Sequence, residues 1–242
     1  TFDAAPIYTI HGFYQRVLTE HAFATQRPLQ QKFADTRPLF ERAFMRALRQ
    51  HLACDPQCRG YLLRWQSSSN LEELRDLLLG CHVQFGEIWP RVDLKSLDAF
   101  CRQLILAADA AGGLHAIFSH YQRANIYAAD LGKLREAVFP ALARAQRAYQ
   151  AAERNTNPDD TQPLALMLEM LEDMGEEFTL LYQPRERKLG RNEITFNTGF
   201  PPEVQGFIES TKAFNEVRVP FKAVVVQLFL PVVQRYLADI KR

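Results

Sequence analysis

The residue types best suited to chemistry lie close together near the start of the chain, in Thr9-Ile10-His11-Gly12-Phe13-Tyr14-Gln15-Arg16-Val17-Leu18. Pro6 and the β-branched and aromatic run Ile7-Tyr8-Thr9-Ile10 predict a short strand, and Phe13, Val17, Leu18 and Phe23 then recur at helical spacing. A strand that turns directly into a helix exposes free backbone N–H groups and the positive end of the helix dipole, and this combination suits a phosphate. Gly12 lets a ligand approach the backbone, while Thr9 and His11 add short side-chain donors. The same residues also fit an ordinary strand–helix corner in which Thr9 is an N-cap and a neighbour satisfies His11.

A second candidate for anion binding is the irregular stretch holding Arg185, Arg187, Lys188 and Arg191, with a glycine at 190 and one acid, Glu186. A basic loop of this kind neutralises backbone phosphates without reading sequence, although a plain exposed loop has the same composition. Arg42, Arg46 and Arg49, and separately Arg144, Arg147 and Arg154, fall along predicted helices, where basic side chains usually form a solvated face. Other chemistries find less support. There is no Gly-x-x-x-x-Gly-Lys-Ser/Thr loop for a nucleoside triphosphate, no Gly-x-Ser-x-Gly elbow and no paired acidic magnesium motif. His51, Cys54, Cys58, Cys81 and His82 lack a second well-spaced pair for zinc, so no metal and no bound cofactor is expected in this chain.

The elements that would carry these residues read as helix upon helix. Pro38 sits in the first turn of a helix opened by Thr36, with Leu39, Phe40, Phe44, Leu48 and Leu52 on one stripe. Asn70 and Glu73 have capping-box spacing for a helix ending near Gly80, and Leu94 to Ala111 is stopped by Gly112-Gly113. A helix over 114–129 follows, then one capped by Asp130 with a kink expected at Pro140. Residues 155–160 read as a loop, Thr161 and Pro163 open another helix, and 193–197 suggest a small strand. Helices over 202–217 and from Pro220 to the end complete the chain, the last bent at Pro231. The expected fold is therefore mainly α, an irregular multi-helix bundle with a short N-terminal strand and a possible small hairpin near 190–200. The 242 residues are 47% hydrophobic and 24% charged with a net charge of +1, so a real core is available and any nucleic-acid contact must come from local clusters. Four scattered cysteines point to a reducing, cytoplasmic setting, and the apolar run 223–233, interrupted by Gln227 and Pro231, is too short to cross a bilayer.

The segment Thr-Ile-His-Gly-Phe-x-Gln-Arg-Val-Leu resembles a motif of the UvrD-like superfamily 1 DNA helicases, and its form is closest to the RecB-like branch, the exodeoxyribonuclease V beta subunits. The trailing Leu18-Thr19-Glu20-His21-Ala22-Phe23 is similar as well, whereas Tyr14 stands where that family usually carries Cys. Past the motif, Lys188-Leu189-Gly190-Arg191, Phe200-Pro201-Pro202-Glu203 and the final stretch from Phe221 resemble, in order and character, the end of the family's helical 1B insertion. The resemblance implies one helical accessory subdomain over 1–242, with a possible lobe division near 155–160, cut from a larger ATP-dependent helicase and exonuclease of recombinational repair. It implies that Thr9, His11, Gly12, Phe13 and Arg16 line the path of single-stranded DNA, that Arg185 to Arg191 meets duplex, and that RecC- and RecD-like subunits are partners. ATP and magnesium would belong to the parent, and the piece alone would be inactive. Read from the residues alone, near-neutral charge and abundant apolar helices also fit a helical protein–protein interaction module with no nucleic-acid role.

Overall fold

Short-range signals account for most helix boundaries in the computed structural model, which describes residues 36–84, 91–124, 126–154, 162–185 and 199–241. The chain divides into two compact units, Thr1–Pro38 and Leu39–Arg242. Apart from Thr36–Pro38, the described residues belong to the second. In order they form α1 (Thr36–Ala47), a π-helical turn (Leu48–Leu52), α2 (Pro56–Ser68), α3 (Leu71–Val83), α4 (Leu94–Ala110), α5 (Leu114–Arg123) and α6 (Ala128–Lys133). A second π turn (Leu134–Val138) leads into α7 (Phe139–Glu153), followed by α8 (Pro163–Met174), a 3₁₀ turn (Glu177–Leu181), α9 (Pro202–Val217) and α10 (Phe221–Lys241). The protein is mainly α, and among the described residues no strand forms beyond an isolated bridge at Ile126. The expected N-terminal strand and the strand at 193–197 lie outside the described residues.

Side-chain caps start several helices. Asp55 accepts from the Cys58 N–H at 2.9 Å, and Asp93 accepts from the N–H groups of Lys95 and Ser96. Asn70 accepts from the Glu73 N–H while its amide donates to the Glu73 carboxylate, each at 2.8 Å, a reciprocal pair that holds the first turn of α3. Helix α4 ends where Gly112 and Gly113 take φ of +83° and +88°, a backbone region that side chains with a Cβ avoid.

Three boundaries differ from the sequence reading. Helix α3 runs past Gly80 to Val83. The helix expected over 114–129 stops at Arg123, because Ala124 is extended and the Tyr127 N–H bonds instead to the Arg185 carbonyl at 3.0 Å. Asp130 lies within α6, buried, rather than capping it. Pro140 is the second residue of α7, directly after the π turn over Leu134–Val138. In an unbroken α-helix its ring would meet the Glu136 carbonyl, and the wider turn falls at that point.

The core gathers around α8, whose residues Pro163 to Leu168, Met170 and Leu171 are all buried. It packs against α2, α7, α10 and the 3₁₀ turn, while α4 and α9 make the most extensive helix pair. Segment 155–160 lies within the larger unit, and α7 and α8 on either side of it pack together. The stretch Phe221–Ile240 of α10 is long and apolar enough, by length and composition, to cross a membrane, with a mean hydropathy of 1.4. Here Phe221, Val224, Val225, Phe229, Val233 and Leu237 are buried, and α10 packs on α2, α3 and α8. Helix suits the β-branched run Val224–Val226 because its side chains fill that core, which outweighs intrinsic preference.

Gln227, the polar interruption in this apolar helix, pairs in both directions with one peptide unit. The Val92 N–H donates to its Oε1 at 2.7 Å and its Nε2 donates to the Val92 carbonyl at 2.8 Å. Replacing Gln227 by Leu leaves both Val92 groups without these partners, so urea unfolding should show a loss of about 1–3 kcal/mol. At the α2–α8 contact, a Cβ on Gly60 would fall against Cβ and Cγ of Gln162. Gly60→Ala should therefore destabilise by about 1–2 kcal/mol, with the ~1 kcal/mol gain in helix propensity outweighed by overpacking. An unfolding midpoint at or above wild type would contradict that close approach.

Candidate nucleic-acid interface

Of the nine residues singled out for anion binding, the described part of the chain includes Arg185. Thr9, His11, Gly12, Phe13, Arg16, Arg187, Lys188 and Arg191 lie outside it. Arg185 is fastened to the N-terminal end of α6. Its guanidinium reaches Asp130 through Nη2 at 2.6 Å and Nε at 3.1–3.2 Å, and its backbone N–H donates to Asp130 Oδ2 at 2.9 Å. Its carbonyl accepts the Tyr127 N–H, and its guanidinium lies 5.7 Å from the centre of the Tyr127 ring.

The pair is lopsided: the Asp130 side chain is 1% exposed and that of Arg185 67%. A buried carboxylate is stable only when its charge is met, and hydrogen bonds from Arg185 hold the Asp130 carboxyl below the usual carboxylate range. The first cation of the basic stretch thus serves the fold, since it meets the charge of a buried carboxylate.

The two helical arginine sets differ in what surrounds them. Arg144, Arg147 and Arg154 are exposed along α7, and Arg147 donates Nε–H to the Ala143 carbonyl at 3.2 Å. Arg42, Arg46 and Arg49 are exposed on α1 and the turn after it, where α10 adds Arg235 and Tyr236. The Arg46 and Arg235 guanidiniums lie 5.7 Å and 5.5 Å from the centre of the Tyr236 ring. Arg235 and Tyr236 escaped the sequence reading because nothing local to α10 indicates that α1 lies beside it.

Several other titratable groups tie helices together or are buried. Tyr149 donates its hydroxyl to Asp98 at 2.8 Å, Arg102 pairs with the same carboxylate at 2.8 Å, and its guanidinium lies 5.0 Å from the Tyr149 ring centre. This knot ties α4 to α7. Burial pushes the Cys101 thiol beside it up to about 12, and that of Cys58 likewise to about 12. Both are therefore protonated near neutral pH and unsuited to nucleophilic or thiolate chemistry. Among the described residues no group of three or more His, Cys, Asp or Glu is placed to hold a metal. Of the zinc set considered above, Cys58 is buried and His82 stacks on Phe40 with ring centres 5.5 Å apart.

No family model, curated protein or solved structure matches the chain.

Asp130→Asn should lower stability by about 1–2 kcal/mol at pH 7, because the buried acceptor of the Arg185 groups loses its charge. The folded carboxyl titrates below its ordinary value of ~3.9, so the contribution is complete above that pH and fades as pH falls through the depressed value. Urea midpoints of wild type and variant should differ at pH 7 and converge toward pH 2–3. A gap unchanged over that range would show that the charge of Asp130 is not what stabilises the contact.

Proposed function

We propose that the chain is a mostly helical, DNA-binding accessory subdomain of a RecB-like, ATP-dependent DNA helicase–nuclease of recombinational repair. The observation that carries the reading is the Thr9–Leu18 segment with its Leu18–Phe23 continuation. The helical body that follows it, closing in α9 and the long α10, supports the same reading. Thr9, His11 and the amides beside Gly12 bind a phosphate of the tracking single strand, with Phe13 packed under the turn and Arg16 at the backbone or bracing the motif. Arg187, Lys188 and Arg191 contact duplex phosphates from a segment that Arg185 anchors. Phosphate donors carry no base information, so the binding is independent of sequence.

In this reading ATP and magnesium belong to the parent enzyme, and no residue of this chain is assigned to either. RecC- and RecD-like subunits are the protein partners, and the setting is cytoplasmic.

The test is fluorescence anisotropy of labelled single-stranded DNA with the wild-type chain and with the Thr9→Ala, His11→Ala double variant. Wild type should bind weakly, with affinity falling steeply as salt rises, and the double variant should lose about tenfold at low salt. Binding that is tight, indifferent to salt and unchanged by both substitutions would overturn the phosphate contact. Capture of a protein partner by a chain with no DNA affinity at low salt would favour a helical interaction module instead.

A further inference from the structure

Two helices distant in the chain bring four arginines to one place. Arg42, Arg46 and Arg49 are spaced four and then three residues apart, so they share a face of α1 and its π turn, and all three are exposed. At ~1.5 Å per residue they span about 10 Å, the length over which one strand of duplex DNA presents about three phosphates. Arg235 joins them from α10, and both it and Arg46 lie over the ring of Tyr236. Arg46 is held further by a 3.2 Å hydrogen bond from Nε to Gln50 Oε1.

Among the described residues the charge of this set is unspent, as is that of Arg144 and Arg147 on α7, and what sets it apart is the Tyr236 ring over which two helices bring guanidiniums together. Arg75, Arg102, Lys133, Arg135, Arg185 and Lys222 all pair with carboxylates. Among the described residues, Arg42, Arg46, Arg49 and Arg235 pair with none. Of the acids nearest in sequence, Glu41 is engaged by Arg75, and Asp239 lies one turn further along α10. Guanidiniums already resting on a ring are partly ordered, so less freedom is lost when a phosphate binds. Readers of single strands offer aromatic faces on which bases stack. Here the ring of Tyr236 is taken by two guanidiniums, which leaves donors for phosphate rather than a platform for bases.

We propose that Arg46 and Arg235, ordered on the Tyr236 ring, and Arg42 and Arg49 on the same helix face as Arg46 form a ridge that holds the phosphate backbone of duplex DNA without reading sequence. The ridge rests on the DNA-binding reading above and names the form of DNA and the residues that meet it.

The test compares binding of a labelled 20-base-pair duplex across a salt series for the wild-type chain, for Arg42→Gln/Arg46→Gln/Arg49→Gln and for the matching Lys triple. Circular dichroism and melting temperature establish that each is folded. The Gln triple should bind at least about tenfold more weakly at low salt, with the slope of log affinity against log salt reduced by about 2–3. The Lys triple, which keeps the charge, should retain most of both. A folded Gln triple with wild-type affinity and slope would overturn the ridge and leave DNA binding elsewhere in the chain standing. A wild-type chain without salt-dependent duplex binding would overturn the ridge and the duplex contact proposed for Arg187, Lys188 and Arg191, and leave the single-strand contact standing on its own titration. Loss of duplex binding in the Gln triple, with single-strand binding unaffected by Thr9→Ala and His11→Ala, would uphold the ridge and overturn the contact at residues 9–16.

Discussion

A helix whose first turns are apolar on every side has to be enclosed there, and α8 imposes that demand on the rest of the helical body over Pro163–Leu168. From Pro163 to Leu171 only Glu169 escapes burial, and Glu169 itself accepts a 2.8 Å hydrogen bond from Ser67 on α2. An ordinary amphipathic helix needs cover along one stripe, whereas α8 needs it all round over Pro163–Leu168, before Glu169, Glu172 and Asp173 give it a polar edge. Helices α2, α7 and α10 and the 3₁₀ turn supply it. Other features follow from this enclosure: the bare backbone at Gly60 where Gln162 lies close, the apolar surface of α10, and the choice of helix for a valine-rich run.

Enclosure on that scale buries polar groups, and the protein answers several of them with a specific partner, although Asn215 Oδ1 is buried without one. Gln227 matches one peptide unit at Val92 donor for acceptor. Tyr121 donates to the Leu181 carbonyl, and Tyr149 and Arg102 share the carboxylate of Asp98. Asp130 meets Arg185. Several of these contacts lie where an irregular stretch meets a helix, since there the backbone has lost its regular ladder and its groups need side-chain partners.

The same accounting separates cations paired with a carboxylate from cations that, among the described residues, are not. Arg185 looked from sequence like one of four equivalent charges in a basic loop, yet its guanidinium is committed to a buried carboxylate. Arg42, Arg46 and Arg49 looked like an ordinary solvated helix face, yet α10 adds an arginine and an aromatic ring to them without adding a carboxylate partner. Charge type and spacing are the same in both readings. Only the identity of the neighbours distinguishes them.

Much of the helical plan was legible in the residues themselves. The Asn70–Glu73 box, the Gly112-Gly113 stop, Pro163 at a helix start and the apolar steps along α4 act within one or two turns, so sequence order is enough to reveal them. The early end of α5, the burial of Asp130 and the Tyr236 cluster were not legible, because each depends on contact with a segment tens of residues away. Composition and periodicity determined that this chain would be helical, which faces would be apolar and where local stops and starts such as Gly112-Gly113 and the Asn70 cap would lie, but not the caps at Asp55 and Asp93. The tertiary structure decided which charges are neutralised by a carboxylate and, among the described residues, which are not, because that depends on which distant side chains packing brings within a few ångströms.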